Sequence, residues 1–176
     1  MISRVMPSPQ KAKGSSWERD CARYLSTLYN ESFIRAPGSG AYVGGINQAR
    51  KEFLHEGQVR SFKGDIVPGQ SFPKMNIECK SYADFPFHQL FSGTVKQLEG
   101  WIEQCMDVAD KGDFNILLMK FNRKGKYIAV QNTDQSELIL INHFNYKSTH
   151  HGIWSIMDFN TFFNTNSQTI KKLCSI

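Results

Sequence analysis

No Cys-x-x-Cys pair and no Cys/His pair at zinc-ligand spacing occurs anywhere in this 176-residue chain. The four cysteines, Cys21, Cys79, Cys105 and Cys174, are widely scattered. They read as reduced thiols of an intracellular protein, not as a disulfide framework or a zinc site. No apolar stretch is long enough to span a bilayer, and Met1–Met6 carries no apolar run of signal-peptide length, so neither a membrane anchor nor export is expected. Internal repeats, low-complexity tracts and a clear domain boundary are absent too. A soluble, cytoplasmic protein is the expectation.

What is present suits one globular domain. A chain of 176 residues can bury one good core and not two, and 40% apolar with 12% aromatic content is ordinary for a folded protein. Lysine and arginine number 21 against 16 acids, a net charge of +5 with a pI near 9.0. That balance leans toward polyanions, because phosphate neutralisation dominates nucleic-acid affinity.

Residues 1–13 read as a flexible basic lead-in, and 14–176 as a single domain. From Ser15, the spacing of Trp17, Cys21, Leu25 and Leu28 predicts an amphipathic helix, with Ser15 and Glu18 in the form of a capping box. Phe33–Ala36 is a short strand running into the loop Pro37-Gly38-Ser39-Gly40; residues 41–60 read as an inserted loop or short helix. Phe62–Val67, the turn Pro68-Gly69-Gln70 and Met75–Ser81 predict a hairpin. His88–Asp110 predicts one long helix, Phe114–Met119 a buried strand, Tyr127–Val130 a strand after a basic turn, and Ile153–Met157 a strand followed by a short helix capped by Asp158. Leu138–Ile141 is a short apolar segment of uncertain type. This order describes an α/β domain with a mixed central β-sheet flanked by helices.

One constellation carries chemistry: Glu18, Gly64-Asp65 and Glu78-Cys79-Lys80. Alternate residues of a strand share a face, so Glu78 and Lys80 point one way and Cys79 the other. Three carboxylates with one lysine can hold a divalent metal and aim a water at a phosphodiester.

The layout resembles the PD-(D/E)xK nucleases, with their restriction-endonuclease-like fold. Within them it is similar to archaeal-type and phage Holliday-junction resolvases over roughly residues 11–131. The matching pieces are Lys13-Gly14 with Glu18-Arg19, then Arg35 before Gly38-Ser39-Gly40, then Asp65, then Glu78-Cys79-Lys80-Ser81. Five weak pieces in the right order are far more specific than any one. Two departures stand out: Gly64 replaces the proline that often precedes the aspartate, and the stretch from Ser39 to Asp65 is longer than in compact resolvases.

The resemblance implies a Mg²⁺-dependent endonuclease, with Mn²⁺ as a substitute. Mg²⁺ takes oxygen ligands, acidifies a water and acts as a Lewis acid. Asp65 and Glu78 are then direct ligands, the backbone carbonyl of Cys79 a third, and Glu18 completes the site. Lys80 orients the attacking water and stabilises the transition state; among carboxylates it stays protonated, which favours positioning over general-base work. Lys11, Lys13, Arg35, Ser39 and Lys63 are candidate DNA contacts, and Arg50, Lys51 and Arg60 could extend that track.

Plainer readings compete. A helix cap explains Glu18 about as well as catalysis does, and Glu78/Lys80 alone could be a surface ion pair worth under about 1 kcal/mol. Asp65 could belong to turn chemistry before Pro68-Gly69. Gln97 could help at the site or face solvent. His150-His151 reads as surface, and Phe144, Tyr146, Trp154, Phe159, Phe162 and Phe163 read as core or interface before base stacking. The expected substrate is DNA, branched or a four-way junction in recombination or repair, in a prokaryotic or phage-infected cell. Symmetric junction cleavage needs two sites about a two-fold axis, hence a homodimer. The alternatives are a sequence-specific restriction or homing endonuclease of the same fold, and a non-catalytic DNA-binding protein.

Overall fold

In a computed structural model, residues 9–37, 63–133 and 137–175 are described, with side chains from Gly14 onward. Ser39, Arg50, Lys51, Arg60 and the side chains of Lys11 and Lys13 lie outside the described residues, as does the 41–60 segment. Helix α1 (Pro9–Tyr29) leads to β1 (Ile34–Arg35) and β2 (Ile66–Val67), which pair antiparallel as a separate two-stranded ladder. Strand β3 (Met75–Tyr82) is followed by a short 3₁₀ helix (Phe87–Phe91) and α2 (Lys96–Met106). Then come β4 (Phe114–Phe121), β5 (Gly125–Gln131), β6 (Phe144–Lys147), β7 (Ile153–Asp158) and α3 (Phe159–Cys174). The five-stranded sheet runs β3-β4-β5-β7-β6, with β3 and β4 parallel and every other pair antiparallel.

Period-two alternation along the strands divides the core between two faces. Ile116 and Leu118 of β4, with Ile77, Ile128 and Met157, meet α1 and α3. Leu117, Met119 and Phe121, with Ala129, Trp154 and Ile156, meet α2. On α1, Trp17, Cys21 and Leu25 recur every four residues and are buried on the sheet, and Trp17 donates its indole N–H to the Leu118 carbonyl at 2.8 Å.

The structure corrects several expectations. Helix α1 starts at Pro9, not Ser15; proline suits a first helical position because its missing N–H would have no partner there. Ser15 and Glu18 therefore sit inside the helix, and the capping box does not form. Residues 9–13 of the expected lead-in are helical. The hairpin is replaced by two different pairings: β2 takes β1, while β3 takes β4 in parallel. The long second helix is divided at Ser92–Thr94, where Gly93 has φ 131°, outside helical geometry. Strand β6 has no counterpart among the expected elements. The last helix is longer than expected, running to Cys174, although Asp158 does cap it through the Thr161 N–H at 2.8 Å. All four cysteines are free and buried. No described helix is long and apolar enough to cross a membrane.

Candidate active site

Strand β3 is an edge strand of the sheet, and its α2-facing positions are Asn76, Glu78 and Lys80, all buried. Burying such groups is costly unless they are bonded. The Lys80 ammonium accordingly donates to Glu78 Oε1 at 2.6 Å and to Gln104 Oε1 of α2 at 2.6 Å. Asn76 donates to the Cys105 carbonyl and to Asn115 Oδ1, at 2.9 and 2.8 Å.

Asp65 is fixed from three directions along the open edge of β3. Its N–H donates to the Ile77 carbonyl at 2.8 Å, its carbonyl accepts from Ala36 N–H at 2.8 Å, and its Oδ2 accepts from Cys79 N–H at 2.8 Å. Gly64 makes this approach possible. It sits at φ 65°, and a Cβ there would come 2.5 Å from the Ile77 carbonyl oxygen. In an extended strand the N–H and C=O of one residue address the same neighbour. The Cys79 carbonyl therefore faces the same edge as its N–H, toward Asp65. The Cys79 thiol lies on the opposite face, against Cys21, where burial pushes it up; it is the main chain of Cys79 that belongs to the site.

Both acids are raised above their ordinary values despite these bonds. Burial, then the Asp65 charge, pushes the Glu78 carboxyl up to about 8 against the opposing pull of Lys80. Asp65 is raised as well, by burial foremost and by Glu18, against the Cys79 N–H. A cavity of about 490 Å³ opens over them, lined by Gly14, Glu18, Asp65, Glu78, Cys79 and Lys80, and reaching Tyr82 and Asn122. Glu18, on α1, is engaged by the Arg35 guanidinium.

This donor set suits a hard divalent cation: two close, charge-starved carboxylates and a main-chain carbonyl on one edge. Among the described residues no three His, Cys, Asp or Glu side chains form a ready-made ligand group. Glu18 lines the same cavity while one of its oxygens, Oε2, is held by Arg35.

The structure thus brings Glu18, Arg35, Asp65, Glu78, Cys79 and Lys80 to one place. Lys63 is not among them. Its side chain is 9% exposed and paired with Asp110 at 2.9 Å and with Asp113, which withdraws its charge from the surface. Gln104, which the sequence pattern does not single out, is the polar partner from α2; Gln97 lies two turns earlier on that helix and does not line the cavity. His151 pairs with Glu103 and His150 is exposed, while Tyr146, Trp154, Phe159, Phe162 and Phe163 are buried in the core.

A family model described as "Phage putative PDDEXK endonuclease" matches residues 9–176. The chain belongs to this PD-(D/E)xK family. Its membership agrees with the mixed sheet and flanking helices of a restriction-endonuclease-like fold, and supports a nuclease acting on DNA. Neither a curated protein nor a solved structure matches the chain.

Proposed function

We propose that the chain is a divalent-metal-dependent endodeoxyribonuclease that uses Mg²⁺, or Mn²⁺ in its place. Asp65, Glu78 and the Cys79 carbonyl would hold the ion, with Glu18 closing the set. The ion, when bound, supplies an acidified water and offsets charge growing on the phosphoryl group. The observation that carries the reading is the pair of buried acids, Asp65 and Glu78, lining one cavity, both raised by burial against the pull of Lys80. Lys80, held between Glu78 and Gln104, would orient the water and stabilise the charge growing on the phosphoryl group. Arg35, at the mouth beside Glu18, is placed to receive a neighbouring phosphate.

We further propose a junction-selective, homodimeric enzyme, formed of one domain from residue 14 onward and working in the cytoplasm of a prokaryotic or phage-infected cell. The similarity of Arg35, Asp65 and Glu78-Cys79-Lys80-Ser81 to Holliday-junction resolvases supports it. A substrate panel tests it: a labelled four-way junction, linear duplex, single strand and plasmid, each with Mg²⁺ or Mn²⁺. Paired nicks confined to the junction are expected. Discrete plasmid fragments would instead favour a sequence-specific enzyme, and no cleavage of any substrate would overturn the nuclease reading.

A further inference from the structure

The β4–β5 hairpin carries Lys120, Arg123, Lys124 and Lys126 in one short span. Lys120 and Lys126 are direct cross-strand partners. Like charges set opposite one another repel across a ladder. Both ammonium groups also lie over the Trp17 ring, 5.4 and 5.6 Å from its centroid, which concentrates them further. At the tip, Arg123 adopts φ 59°, a left-handed conformation disfavoured for a long side chain. Among the described residues, only Lys124 of these four has a carboxylate partner, Asp84. Repulsion and strain without compensating ion pairs work against local stability, and an external polyanion would relieve the repulsion.

The hairpin also stands at the cavity. Lys120 is the register partner of Ser81, and Ser81 and Asn122 line the cavity beside Glu78 and Lys80. Asn122 N–H donates to the Tyr82 carbonyl at 3.1 Å, tying the turn to the end of β3. Trp17, under the two lysines, immediately precedes Glu18.

We propose that the β4–β5 hairpin is a phosphate-binding arm, in which Lys120, Arg123 and Lys126 hold the DNA backbone beside the bond entering the cavity. The proposal rests on the nuclease reading and names the surface that holds its substrate. Because ammonium and guanidinium groups on an exposed turn meet phosphates, the binding is independent of base sequence.

Duplex binding by fluorescence anisotropy tests it, in an Asp65→Asn background with Mg²⁺ to prevent cutting. The dependence of log Kd on log salt changes by about 0.9 for each phosphate that the protein no longer neutralises. Lys120→Gln with Lys126→Gln should therefore flatten the slope by about 2, equally for two unrelated duplex sequences. Arg123→Gln should add about 1 more. Thermal midpoints should change little, because the repulsion that is lost offsets the two lost contacts with the Trp17 ring. Lys147→Gln, on β6 at the opposite edge of the sheet, should keep the parent slope. An unchanged slope in the hairpin variants, or an equal flattening in Lys147→Gln, overturns the arm. If wild type cuts DNA while the slopes stay equal, the nuclease reading survives without it; a parent protein that binds neither duplex nor four-way junction removes both.

Discussion

Gly64 is as constrained as the carboxylate it precedes. A proline at this position, fixed near φ −65°, could not adopt the observed φ of 65°, so the departure from the resolvase pattern is a change of backbone geometry. Any side chain would also meet the Ile77 carbonyl that Asp65 N–H must reach. Gly64→Ala should cost about 1–3 kcal/mol in chemical denaturation and lower cleavage by displacing Asp65. Unchanged stability would mean that the local backbone relaxes freely. Glu78 makes a second residue-level prediction. Its carboxyl is raised from an ordinary value near 4.5 to about 8, so the folded state binds the proton more tightly than the unfolded chain. The stability this gives is fully present below about pH 4.5 and is lost as pH rises through about 8, with a slope of about 1.4 kcal/mol per pH unit at most. In chelator-treated protein the thermal midpoint should fall over that window, and Glu78→Gln should flatten the fall. Added Mg²⁺ should stabilise more at pH 8 than at pH 5, because its ligands must be deprotonated. A flat wild-type profile would contradict the burial of an unbalanced acid.

Elements decide which of these residues meet. The period-two pattern of β3 is legible in the sequence, so the shared face of Glu78 and Lys80 can be read without coordinates. The partner of β3 cannot: sheet pairing is chosen by distant residues, and the buried run of β4 outcompetes the neighbouring strand. Helix α2 shows the same limit. Its apolar face is evident from Leu98, Trp101, Ile102 and Cys105, yet Gln104, on the polar side of the pattern, has no signal to distinguish it from any solvated glutamine. Only the crossover that lays α2 beside β3 gives it Lys80. Gln104→Leu should lower kcat on the order of ten-fold with little change in KM, from loss of one hydrogen bond to a charged group. A matching fall in thermal stability with unchanged kcat would make Gln104 merely structural. The cap reading of Glu18 falls at this scale too, because a helix beginning at Pro9 leaves Glu18 no cap to make.

At the scale of the whole molecule, two apolar clusters on opposite faces fix the sheet, while the polar chemistry collects along the open edge of β3, one rim of α1 and one face of α2. The α/β class, the central acids and the lysine follow from the sequence, since each depends on local pattern or on a strand's alternation. The engagement of Lys63 by Asp110 and Asp113, and of Glu18 by Arg35, does not, because those partners are brought together by the fold. The proposed chemistry stands or falls on Asp65 and Glu78 together holding the ion that enables cleavage. Single-turnover cleavage with saturating Mg²⁺ decides this, with wild type set beside Asp65→Asn and Glu78→Gln, each shown to be folded and to bind DNA. Wild type should cleave, and each variant should be slower by at least about a hundred-fold. Wild-type rates in either variant would contradict the shared metal site.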